Sequence, residues 1–143
     1  MIPPRITLVT LGVADLARAT AFYEALGWPR RLREADGVAF FQLGPLGLSL
    51  YPDADLAVDA KVRPREGQGF RGMSLAQNLP GRADVDAAIA ALLAAGATLL
   101  AAAEEKAWGG YGGYVADPDG HAWEIAWNPG FPLADDGAMT IPE

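Results

Sequence analysis

No cysteine occurs among the 143 residues. Disulfides, thiolate metal sites and a cysteine nucleophile are therefore excluded, which suits a reducing compartment. Histidine is scarce as well: His121 is the only one, so a Ser-His-Asp triad would have to take it from the turn in which it sits. Basic residues are outnumbered, with 11 Lys and Arg against 18 Asp and Glu and a net charge of −7, and no basic stripe or interleaving of Arg with aromatics is present. Nucleic acid and anionic membranes are poor partners for such a surface, whereas cationic or neutral ligands suit it, and the charge also serves solubility. No apolar run is long enough to span a bilayer, and Met1, Ile2, Pro3, Pro4 and Arg5 form no signal-peptide core, so a cytoplasmic protein is expected. What is abundant is apolar material, 51% against 20% charged, the balance of one globular domain over residues 1–143.

The hydropathy pattern runs through one cycle and then begins again. A strand over 6–13 leads to Asp15, a helix N-cap; Leu16, Ala19, Phe22, Tyr23 and Leu26 follow at helical spacing, and Gly27 stops the helix. Short strands are predicted over 28–33, 38–43 and 46–51, separated by Asp36-Gly37 and Gly44-Pro45. Residues 52–69, charged and holding Pro64, Gly67 and Gly69, read as a connector without a packed element. The second cycle has a strand over 70–79 and a helix over 82–95 with Gly81 at its N-cap and Asp84 in its first turn. Val85, Ile89, Leu92 and Leu93 share one face of that helix, and Gly96 stops it. Strands over 97–102, 111–116 and 122–127 complete this half, and the tail 129–143 reads as irregular. The internal repeat sets module 1 at about 5–51, the connector at 52–69 and module 2 at about 70–128.

The most informative stretch is Asp117-Pro118-Asp119-Gly120-His121, a tight turn that delivers Glu124 into the apolar strand Ala122-Trp123-Glu124-Ile125-Ala126-Trp127. A carboxylate there requires a metal, a cation, a hydrogen-bonding ligand or a polar surrounding. If Glu124 points inward, alternation puts Ala122 and Ala126 beside it and sends Trp123, Ile125 and Trp127 to the helix-covered face.

These features resemble the vicinal oxygen chelate superfamily, which groups glyoxalase I, bleomycin resistance proteins and extradiol dioxygenases. The resemblance covers Ile6 to about Pro129. It is carried by Val13-Ala14-Asp15-Leu16 leading into Ala21-Phe22-Tyr23-Glu24-Ala25-Leu26-Gly27, and by Asp117-Pro118-Asp119-Gly120-His121 followed by Trp123-Glu124. It implies an α+β fold of two βαβββ modules whose curved mixed sheets enclose a ligand cavity, commonly as a homodimer. Metalloenzymes of this kind hold one divalent metal with four side chains, and the matching positions here are Leu8, Ser49, Ser74 and Glu124. Only Glu124 keeps a ligand type: leucine has no donor and a neutral hydroxyl is a poor one. The expectation is therefore no metal and no other cofactor, with a divalent ion disfavoured. His121 does not restore the site, because three residues along a strand place it and Glu124 on opposite faces. In the resembling proteins this histidine belongs to the turn.

The same parity adds Ile6, Thr10, Tyr51, Ala76 and Asn78 to the lining of the implied cavity. Four glycines interrupt Trp108-Gly109-Gly110-Tyr111-Gly112-Gly113-Tyr114, which reads either as a lid whose aromatics stack on a planar or cationic ligand or as aromatics capping a sheet edge. The candidate ligand-binding residues are thus Glu124, Tyr51, Asn78, Trp108, Tyr111 and Tyr114. Three functional readings follow: metal-independent binding of a small organic molecule; a glyoxalase-like lyase or isomerase with Glu124 as general base or as part of a reduced metal site; or an interaction module in which Glu124 pairs with Arg or Lys.

Overall fold

The computed structural model describes residues 1–67 and 69–143, and the chain divides into two compact units, Met1–Gln68 and Gly69–Glu143. In the first unit, β1 (Leu8–Val13) is followed by α1 (Leu16–Ala25), β2 (Arg30–Arg31), β3 (Ala39–Leu43), β4 (Leu46–Pro52) and α2 (Asp53–Ala60). The second holds β5 (Ser74–Asn78), α3 (Arg82–Ala94), β6 (Thr98–Glu105), β7 (Tyr111–Ala116) and β8 (Ala122–Trp127).

Each unit has one four-stranded mixed sheet, ordered β1-β4-β3-β2 in the first and β5-β8-β7-β6 in the second. The outer pairs β1/β4 and β5/β8 are parallel and the remaining pairs antiparallel, so the repeat read from the sequence is a repeat of topology. Parallel neighbours need a long connection, and in both units a helix lies within it.

The first core forms where one face of its sheet meets α1. Leu11, Val13, Leu48, Leu50 and Phe41 are buried, as are Ala19, Phe22 and Tyr23 from the helix. Each fully buried side chain of this size contributes roughly 1.5–3 kcal/mol relative to exposure. The Asp15 carboxylate accepts the Arg18 N–H at 3.0 Å, capping α1, and Gly27 leaves it with φ 77°. In the second unit Val85, Ile89 and Leu92 of α3 are buried, as are Val115, Trp123 and Ile125 of β7 and β8. Arg82 lies over the Trp127 ring, 4.3 Å from its centroid, so Trp127 also belongs to the helix side.

Several boundaries differ from the sequence expectation. The stretch 52–69 is not wholly a connector, because α2 occupies its first half. Pro52 sits at the N-cap, Asp53 and Asp55 complement the helix dipole, and Ala57 is buried. Lys61 ends the helix in the left-handed conformation that glycine usually supplies, so the expected stop signal was absent. The strand expected over 28–33 shrinks to two residues: the Pro29 carbonyl accepts Gln42 N–H, but Leu32 turns to φ 48° and leads the chain away. The strand expected from 70 begins at Ser74, after Gly72 at φ 72°. β6 runs on to Glu105, past the expected end at 102, with register shifts around Ala101. The tail is not wholly irregular, since Leu133 and Met139 form an antiparallel bridge.

Candidate functional site

Glu124 is placed by the turn before it and by the strands on either side of it. Asp117, 3% exposed, accepts the backbone N–H groups of Asp119 at 3.0 Å and His121 at 2.9 Å through one carboxylate oxygen. Backbone bonds from Asp117 N–H to the His121 carbonyl and from Gly120 N–H to the Asp117 carbonyl close the turn, with Gly120 at φ 84°. This arrangement is local and was legible in Asp117-Pro118-Asp119-Gly120.

Arg71 was not foreseen. Its Nη2 donates to the Asp119 carbonyl at 3.0 Å, and its Nη1 lies 3.2 and 3.1 Å from His121 Nδ1 and Nε2. A nitrogen so nearly equidistant from both ring nitrogens sits over the imidazole face, since in the ring plane it would collide with the carbon between them. His121 is buried there, with Nδ1 3.7 Å from Asp117, and so it belongs to the turn.

From this turn β8 runs between β5 and β7, placing Ala76 on one side of Glu124 and Tyr114 on the other. Residues paired in register share a sheet face, so Ser74, Ala76, Asn78, Gly112, Tyr114, Ala122 and Ala126 lie on the Glu124 side, away from α3. Small residues therefore surround a half-buried carboxylate. Tyr114 stands opposite it in register. Burial first, then the Glu124 charge and hydrogen bonding to that carboxylate, hold the Tyr114 phenol above its ordinary value of 10.0. Among the described residues no Lys, Arg or His forms an ion pair with Glu124.

The other candidates separate. Tyr111 faces α3, where its hydroxyl donates to Asp86 at 2.8 Å; that bond, ahead of burial and the Asp86 charge, raises its pKa as well. Its odd separation from Tyr114 carried this information in the sequence. Trp108 lies in the turn 106–110, which is closed by backbone bonds between Lys106 and Gly110 and between Gly109 and Lys106. The indole sits over Gly110, where a Cβ would meet the ring and the Trp127 carbonyl, so this glycine is required by close approach. Asn78 shares the Glu124 face, and its side-chain amide donates to Met139 Sδ at 2.8 Å. Nothing in the spacing of Met139 signalled that contact.

In the first unit Tyr51 pairs in register with Gly12, and the buried Ser49 exchanges a hydrogen bond with Thr10. Leu8 is 47% exposed, and Ile6 lies outside β1. Of the four positions singled out in the sequence, Leu8 and Ser49 lie in the first unit and Ser74 and Glu124 in the second, and only Glu124 carries a carboxylate. Among the described residues no three His, Cys, Asp or Glu side chains gather in a way that could hold a metal.

The raised phenols give an alkaline test. A pKa raised on folding means that the native state favours the neutral phenol. The associated stability is complete below pH 10.0 and is lost as pH rises through the higher native value. In a Tyr111→Phe protein, ring NMR should show Tyr114 ionising above the ordinary tyrosine value, and Glu124→Gln should bring its midpoint down. A Tyr114 midpoint unaffected by Glu124→Gln would contradict the pairing.

A family model described as the Glyoxalase/Bleomycin resistance protein/Dioxygenase superfamily matches residues 5–125. The structure of a glyoxalase-related enzyme from Fulvimarina pelagi is similar with a TM-score of 0.87 and 36% sequence identity, covering 98% of this chain and 99% of that one. Lactoylglutathione lyase from Agrobacterium tumefaciens is similar with a TM-score of 0.67 and 25% identity over 89% of this chain and 96% of that one. An uncharacterized protein of Mycobacterium bovis is 50% identical over 42 residues, 29% of this chain and 28% of that protein, so the match spans about a quarter of the length of such curated relatives. Among the described residues no helix is long and apolar enough to cross a membrane.

Proposed function

The chain belongs to the glyoxalase/bleomycin resistance protein/dioxygenase superfamily, and from that premise we propose that it binds a small organic molecule without a metal, using Glu124 as the polar anchor. The observation that carries this reading is the half-buried Glu124 carboxylate, opposite Tyr114 in register and flanked by alanine and glycine on one sheet face. A carboxylate in that position retains acceptor capacity for an ammonium, amidinium or other N–H group, and the low side chains leave room for the rest of the ligand. The protein is further read as cytoplasmic and as a homodimer, and sedimentation of the purified chain would test the second.

Thermal-melt screening with amines, amidines and planar aromatics should identify stabilising ligands, since a ligand of the native state raises the melting point. For a binder found in this way, Glu124→Gln should weaken affinity by about tenfold to a hundredfold, the loss of one hydrogen bond to a charged group. Stoichiometric metal in the purified protein, or a melting point raised by Zn²⁺, Ni²⁺, Mn²⁺ or Fe²⁺ and lowered by chelator, would overturn the metal-free reading.

The similarity to a lactoylglutathione lyase supports a second reading, a lyase or isomerase in which Glu124 takes a proton from carbon. Turnover that survives Glu124→Gln in full would exclude it.

A further inference from the structure

We infer that Met139 is a latch that gates the Asn78 end of the Glu124 face, and that ligand entry exchanges its sulfur for an acceptor oxygen of the ligand; this rests on the reading of that face as the binding site. After β8, the Asn128 side chain accepts Gly130 N–H at 2.9 Å and its carbonyl accepts Phe131 N–H at 3.1 Å, reversing the chain. Residues 132–140 then close on themselves. Thr140 N–H donates to the Pro132 carbonyl at 3.1 Å and Ala134 N–H to the Ala138 carbonyl at 2.9 Å. Gly137, at φ 83°, donates to the Ala134 carbonyl, and Asp136 accepts Ala138 N–H. The segment is thus a small hairpin with its own hydrogen bonds, bridged at Leu133 and Met139.

Its side-chain tie to the sheet is the Asn78 amide on Met139 Sδ at 2.8 Å. Asn78 lies two residues beyond Ala76, the residue beside Glu124, which is about 6–7 Å along the strand and on the same face. Met139 therefore stands at the end of the platform on which Glu124 is presented. A thioether is a weak acceptor, so a carbonyl, carboxylate or hydroxyl oxygen would take the Asn78 amide in its place, and the flexible methionine could move aside at small cost. Asn78 and Glu124 together then select a molecule with an acceptor oxygen at one end and an N–H donor at the other.

The gate can be tested without a ligand by coupling the full-length protein with a water-soluble carbodiimide and glycine ethyl ester, then measuring the rate of Glu124 labelling by peptide mass spectrometry. Met139→Ala, which removes both bulk and acceptor, should raise that rate by roughly threefold, the factor set by one weak hydrogen bond. Labelling of the exposed Asp84 on α3, in the same unit, should not change, which serves as the control for an intact fold. Met139→Leu keeps the bulk, gives up the acceptor and should also label faster than wild type. Labelling of Glu124 at the wild-type rate in either variant would overturn the latch while leaving Glu124 as an anchor. Failure to find any binder would remove the anchor reading and leave this accessibility result unaffected.

Discussion

Tyr23→Ala is expected to cost about 3–5 kcal/mol of folding stability, read as a lowered urea midpoint, the usual loss when a large buried aromatic is truncated. Tyr23 is 1% exposed and stands at the centre of the first core. Its ring stacks on Trp28 at 5.4 Å between centroids, meets Phe22 edge-on at 4.9 Å and touches Phe41 at 5.9 Å. Truncation leaves a cavity that three aromatic neighbours from a helix, the following loop and β3 cannot all collapse into. Tyr23→Phe, which retains the ring, should keep most of the stability. An alanine variant within about 1 kcal/mol of wild type would show that the site relaxes far more than close packing allows.

Gly113→Ala is expected to be nearly as damaging, at up to about 3 kcal/mol, although it adds a single methyl group. The new Cβ would stand 2.7 Å from the Ala101 carbonyl oxygen and 2.8 Å from Ala103 N, both in the backbone of β6. A side-chain end could swing away from such a contact; a strand backbone cannot without giving up ladder bonds. The register of β6 against β7 already shifts on either side of Ala101, so the bulge and the glycine fit one another. Because Tyr114 is the next residue and pairs with Glu124, the displacement should also alter the alkaline titration of Tyr114. A variant as stable as wild type with an unchanged Tyr114 midpoint would mean that β6 moves freely at this point.

The two substitutions differ in how far they could be anticipated. The apolar helical spacing of Phe22 and Tyr23 by itself marks them as core. The need for Gly113 is invisible in the sequence, because the atoms it avoids belong to a strand ten or more residues earlier whose local irregularity depends on pairing.

The same division runs through the candidate site. Asp117, Gly120 and Glu124 were legible together because a turn is made of bonds between residues two to four positions apart, so residue type and order nearly specify it. Strand alternation sends Trp123 and Ile125 toward the helix, and the odd separation of Tyr111 from Tyr114 puts those two on opposite faces. α2 escaped notice because it is only eight residues long and ends on Lys61 rather than glycine.

By itself, then, the sequence determined the repeated strand-helix-strand order, the turn before β8 and the presence of one carboxylate among apolar neighbours, since each depends on short-range hydrogen bonding and on the periods of helix and strand. Only the tertiary structure decided that Tyr114 is the partner of Glu124, that Arg71 covers His121 and that Met139 rests on Asn78. Those contacts join residues from 10 to 61 positions apart; the first follows from the register of β7 against β8, a choice made by burial over a whole sheet, and the other two from where segments outside the strands come to rest on it.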